Sequence, residues 1–98
     1  MARRIVWTTF ARISRKEIFL YWNNRNKSTI YSRKLNFLFQ EALIIIAKYP
    51  QLSVASNNEN IRLKIVSHFE VIYHVSEKQI TVIDIWDTRQ NPTNFPVK

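Results

Sequence analysis

Tyr31, Leu35, Leu38, Ala42, Ile45 and Tyr49 recur at steps of four, three, four, three and four. An α-helix, with about 3.6 residues per turn, returns such positions to one side. The segment is therefore an amphipathic helix whose stripe must be buried against other elements. Ser28 or Thr29 supplies its cap, and Pro50, which lacks a backbone N–H, stops it. Phe39 and Ile46 widen the stripe, as a helix packed on both a sheet and a second helix requires. Leu43 and Ile44 fall outside it and imply a second apolar contact.

The flanking segments supply what this helix packs on. Arg4 to Thr8 is a short β-rich run and reads as a first strand. A first helix follows, with two competing start signals: Thr8 or Thr9 as a cap, and Ser14 with Glu17 three residues on, a capping box. Ala11, Ile18 and Trp22, with Tyr21 alongside, form its apolar stripe. The polar stretch from Asn23 to Lys27 should end it, so the two helices form an antiparallel hairpin. Gln51 to Asn60 is rich in Ser and Asn and reads as an exposed loop. Ile61 to Ile65 and Phe69 to Val75 alternate as strands. Gln79 to Trp86 is apolar on both faces, hence central in a sheet. Ser76-Glu77-Lys78 joins the last two as a hairpin turn. The order strand, helix, helix, strand, strand, strand predicts an α+β fold: a mostly antiparallel four-stranded sheet with a helical hairpin on one face. Residues 1–98 form one domain, with an irregular tail from about residue 90 that holds two of the three prolines.

Composition narrows the chemistry. The 98 residues include no glycine and no cysteine. Dinucleotide fingerprints, P-loops and KH clamps need glycine for close backbone approach and are excluded. Disulfides, thiol catalysis and cysteine-ligated metals are excluded with the cysteines. Two histidines make a dedicated transition-metal site unexpected, and nothing calls for a cofactor. The longest apolar run, Ala42 to Ala47, has six residues against the ~20 of a membrane span. The sequence after Arg3-Arg4 is too polar for a signal peptide, so the cytoplasm is the default compartment.

The net charge of +8 is unevenly placed. Met1 to Lys34 holds nine basic residues and one acid, Glu17, whereas the remainder holds six of each. Arg12, Arg15 and Lys16 on the first helix, with Arg33 and Lys34 opening the second, are positioned to form one basic surface. Such a surface suits a polyanion or an acidic partner, against the plainer alternative of a solvated face.

The same element order, with these residues in it, resembles the RelE/ParE superfamily of bacterial type II toxins. The resemblance covers nearly the whole chain. It rests on Trp7-Thr8 followed by Ala11, on Tyr21, and on the Leu-rich second helix closed by Tyr49-Pro50. Arg62, the run Phe69 to Val75, and Ile83-Asp84-Ile85-Trp86-Asp87-Thr88-Arg89-Gln90-Asn91-Pro92 complete it. It implies a toxin neutralised by a cognate antitoxin, expected to be acidic and to dock an amphipathic helix or strand. It also implies one of two activities: RelE-like cleavage of mRNA on the ribosome, or ParE-like poisoning of DNA gyrase. A basic nucleic-acid-binding module without toxicity is the alternative outside the family.

A metal-free RNase needs a base for the 2′-hydroxyl, cations for the phosphate and an acid for the leaving oxygen. The resemblance assigns Arg62 and Arg89 to the phosphate, and Lys64 and Phe95 to substrate binding. The plainer alternative for Arg62 and Arg89 is a structural ion pair with Glu70 or Asp87. RelE-like nucleases place lysines before the Arg-bearing strand, but Gln51 to Ile61 has none. They carry Tyr or His several residues past the last strand, where this chain has Phe95, whose ring exchanges no proton. Tyr49 and Tyr73 are expected in the core. His68 and His74 share a predicted strand face with Glu70, so a His–carboxylate pair is conceivable there; otherwise they are surface residues. These departures favour ParE-like action.

Overall fold

The computed structural model describes residues 2–52, 54–55 and 60–88. Strand β1 (Arg4–Trp7) leads into helix α1 (Thr9–Asn26) and helix α2 (Ile30–Lys48). A single 3-10 turn, Pro50–Leu52, precedes β2 (Val54–Ala55), β3 (Ile61–Val66), β4 (Phe69–Val75) and β5 (Gln79–Asp87). The strands form one sheet in the order β1-β5-β4-β3-β2. β1 runs parallel to β5 and every other pair is antiparallel. The α+β class and the helical hairpin over one sheet face are as the sequence leads one to expect. The sheet has five strands rather than four, because part of the expected loop after Pro50 pairs with β3: Val54 with Leu63 and Ala55 with Arg62. Two residues give too short a run for any periodic signal.

β5 lies between β1 and β4, which explains why it is apolar on both faces. Ile72 pairs with Asp84 and Tyr73 with Val82, so Ile83 is the extra residue of a β-bulge. The bulge meets the start of α1. The Thr8 hydroxyl donates to the Ile83 carbonyl (3.2 Å) and accepts from the Ala11 N–H (3.0 Å), while the Thr8 N–H donates to the Val82 carbonyl (3.1 Å). Thr8 is thus the cap of α1, and Ser14 lies one turn inside the helix. Tertiary bonds to β5 favour Thr8 although Ser14 carries the fuller local signal, the capping box with Glu17. Thr8→Ala is expected to lower stability by about 1 kcal/mol, within the ~0.5–2 kcal/mol range of lost caps. A thermal melt checks this: Thr8→Ser should recover most of the loss, and an unchanged midpoint for Thr8→Ala would contradict the capping role.

α1 also ends later than its polar sequence suggests. Asn23 to Asn26 form its last turn, and Lys27 closes the helix in the left-handed region (φ 53°). Glycine usually takes that conformation. In a chain without glycine the two left-handed positions among the described residues fall on Lys27 and Ser67. Asn23 is retained in the helix by the Ser32 hydroxyl, 2.6 Å from its Oδ1.

The core lies between the hairpin and the sheet, where Ala11, Leu35, Phe39, Leu43 and Ile46 meet Phe69, Val71, Tyr73, Ile80 and Val82. On α2 the buried face differs from the predicted stripe. Leu35 and Ala42 are buried and Tyr31 and Leu38 flank the core, but Ile45 and Tyr49 are more than half exposed. The buried arc is centred nearer Phe39, Leu43 and Ile46, rotated by about 80° at ~3.6 residues per turn. Leu43 joins the main core, whereas Ile44 points outward. From Ala42 to Ala47 every side of the helix is apolar, so periodicity alone cannot select the inward face. Tyr73 is fully buried as expected, and its hydroxyl donates to the Pro50 carbonyl (3.2 Å).

Candidate functional site

Four basic residues of the hairpin line a groove of about 610 Å³ between α1 and α2. Arg12, Arg15 and Lys16 line it from α1 at helical spacing, and Arg33, Asn36 and Gln40 line it from α2. Ser32 ties the helices beneath them: its hydroxyl lies 3.0 Å from the Phe19 carbonyl besides its contact with Asn23. Four of the five predicted basic-surface residues line this groove, while Lys34, one position on from Arg33, does not. No acidic residue is among the described residues that line it.

That charge arrangement does not serve the helices themselves. Neither helix has an acid in its first turn. Arg12 and Arg33 stand instead close to the helix N-termini, where the macrodipole favours negative charge. Arg15 also packs its guanidinium over the Trp7 ring, 4.2 Å from the centroid. Burial first, and the neighbouring Arg12 second, hold its pKa below the ordinary arginine value. The groove therefore concentrates positive charge that the described residues lining it do not neutralise.

The sheet residues are arranged differently. Arg62 pairs with Tyr73 and Lys64 with Val71, which places both cations on the face that carries the core. Glu70 pairs with Ile65 and occupies the opposite face, so it does not face Arg62. Asp87 pairs with Phe69, four residues along β4 from the partner of Arg62. His74 shares Glu70's face but stands about 13 Å from it along the strand, at ~3.3 Å per residue. His68 lies in the turn before β4, where its carbonyl accepts the Thr88 N–H and hydroxyl, both at 2.9 Å. The expected sharing of a strand face thus fails for His68, and distance separates His74 from Glu70. Asp84 is buried, with its carboxylate accepting the Ile85 N–H (2.8 Å). Arg89, Phe95 and the expected irregular tail lie outside the described residues. Among the described residues no three His, Cys, Asp or Glu side chains gather as metal ligands. No helix there is long and apolar enough to cross a membrane.

A second cleft, of about 630 Å³, opens between α1 and the end of β5 and was not anticipated from the sequence. Phe10, Ser14, Glu17 and Tyr21 line one wall at helical spacing, opposite Trp86. Arg25 closes one end, its guanidinium 5.7 Å from the Trp22 centroid and donating to the Tyr21 hydroxyl at 3.3 Å. The three-to-four-residue spacing of Phe10, Ser14, Glu17 and Tyr21 is the signal that would have found this wall.

No protein-family model matches the sequence, and comparison with curated proteins finds no relative. The backbone, however, superposes on a chain of the chromosomal ParDE TA system from P. aeruginosa with a TM-score of 0.72. The match covers 90% of this chain and 98% of that one, at 14% sequence identity. The two chains share a fold. At that identity the likeness concerns the path of the backbone: one α+β layer whose hairpin covers one face of the sheet. On this ParDE-type fold the basic groove is a feature of the hairpin, and Arg62 and Lys64 are features of the sheet.

Proposed function

We propose that the chain is the toxin of a type II toxin–antitoxin module, acting in the cytoplasm as a ParE-like inhibitor of DNA gyrase and neutralised by an acidic antitoxin. The observation that carries this reading is the ParDE-type fold over nine-tenths of the chain. ParE-like action is favoured over mRNA cleavage because His74 and Glu70 lie on the sheet face opposite Arg62. An inhibitor that works by binding needs no proton-transfer set. The RelE-like alternative keeps one supporting observation, the placement of Arg62 and Lys64 on one strand face, where two cations suit a phosphate.

Induced expression should arrest growth, and co-expression of the neighbouring open reading frame should restore it. With purified protein, gyrase-dependent supercoiling should stop while a translated message stays intact. Codon-positioned cuts that disappear in Arg62→Ala would replace this reading with the RelE-like one. Unimpaired growth would leave only the non-toxic binding module.

A further inference from the structure

We propose that the outward face of α2 pairs with the same face of a second copy of this chain, the two helices running antiparallel. The pairing is separate from toxicity, because it rests on side chains of α2 and on no cellular target.

Ile30, Phe37 and Ile44 recur at steps of seven along α2. They are 76%, 57% and 54% exposed, on the side of the helix opposite the buried Leu35, Phe39 and Ile46. Single exposed apolar residues are ordinary, but three in one line form a seam. A seven-residue step drifts only about 20° around a helix, so a second helix crossing at about 20° follows all three.

The seam is its own complement. Ile30 and Ile44 each lie seven residues from Phe37, so an antiparallel copy sets Phe37 on Phe37 at the two-fold axis and Ile30 on Ile44 at either end. The charges agree with this arrangement. Lys34 stands three residues before Phe37 and Glu41 four after it, on one flank of the seam. Both are exposed and neither lines the basic groove. They stand about 10 Å apart along their own helix, too far to pair with each other. An antiparallel copy brings like flanks together and sets Lys34 of each chain beside Glu41 of the other. A parallel copy would set Lys34 level with Lys34 and Glu41 level with Glu41. Glu41 also separates this partner from an acidic one. It is the one acidic residue of α2, and an acidic helix on the seam would lay like charge against it. The second copy offers it a lysine. Three apolar side chains per copy make a small interface, of the kind that forms reversibly.

Sedimentation of the full chain at ~0.15 M salt, where a Debye length of ~8 Å screens the net charge of +8, tests the pairing. A monomer–dimer equilibrium with Kd between ~1 µM and ~1 mM is expected for so small an interface. Glu41→Lys or Lys34→Glu alone turns two attractions into repulsions and should weaken the dimer about tenfold. The two together leave the net charge unchanged and should restore it; failure to do so would overturn the proposal. The chain has no cysteine, so single cysteines report the register. Under a short bismaleimide, Phe37→Cys should link to itself, and Ile30→Cys should link to Ile44→Cys but not to itself. Self-linking of Ile30→Cys would mean a parallel pair and overturn the proposal. Linking of Ile65→Cys, an exposed position on β3, as readily as Phe37→Cys would reduce the effect to collision and overturn it as well. So would a chain that stays monomeric while the product of the neighbouring open reading frame shields Phe37→Cys, which would give the face to that partner. Melting curves establish that every variant folds.

Discussion

Phe39→Ala should remove about 3–5 kcal/mol from the stability of the domain. Phe39 is fully buried and touches both layers of the domain. Its ring stacks on Phe19 of α1 (6.3 Å, 17° between planes) and meets Phe69 of β4 edge-on (5.8 Å, 83°). Removing it deletes the packing that joins α1, α2 and the sheet at one point. Buried Phe→Ala substitutions cost about 3–5 kcal/mol, because the lost transfer free energy is joined by an unfilled cavity. A domain of this size is stable by about 5–15 kcal/mol in total. Urea denaturation reads the result: the midpoint should fall steeply while the slope stays constant. A loss below about 1 kcal/mol, the centre of ordinary point mutations, would mean that Phe39 is not the junction of the core.

The second large effect separates two adjacent isoleucines. Ile46→Ala should cost about 2–5 kcal/mol and Ile45→Ala well under 1 kcal/mol, because burial rather than residue type sets the loss. Ile46 is 2% exposed and Ile45 is 51% exposed. The two side chains are identical and lie next to each other in a helix, so propensity and neighbouring sequence contribute almost equally to both. The same denaturation series on both variants measures the difference. If Ile45→Ala proved the more damaging, the inward face of α2 would be the one expected from spacing alone.

This pair also shows how far periodicity reaches. A stripe at steps of four and three establishes a helix and its approximate apolar side. It does not fix the rotation where apolar residues surround the helix, as they do from Ala42 to Ala47. That angle follows from packing α2 on two elements at once, with Phe39 toward both Phe19 and Phe69. The cap of α1 is similar. Thr8 and Ser14 both carry a cap signal in local sequence, and Thr8 alone also bonds the carbonyl of Ile83, 75 residues away.

The candidate site was legible to unequal degrees. The concentration of charge in the first third of the chain, and its placement on the two helices, could be read from residue order. Four of the five residues named for it share the groove: spacing on α1 carries Arg12, Arg15 and Lys16 to one side, and Arg33 joins them from α2. Lys34 is not among the lining residues. Facing across the sheet could not be read in the same way. Arg62 and Glu70 looked like available partners until the register placed them on opposite faces, since a shift of one residue in pairing reverses every side chain. The aromatic cleft beside Trp86 was missed for a related reason: its walls come from α1 and β5, far apart in sequence.

By itself, then, the sequence determined the order of the main elements without the short β2, the central place of β5, the helical hairpin and the sign of its charge. These depend on local periodicity and composition, which need no knowledge of distant partners. The tertiary structure alone decided which side of α2 is buried, which hydroxyl caps α1, which cations meet in a groove and which charges stand on opposite faces. Each of those is a relation between residues brought together only when the hairpin docks on the sheet.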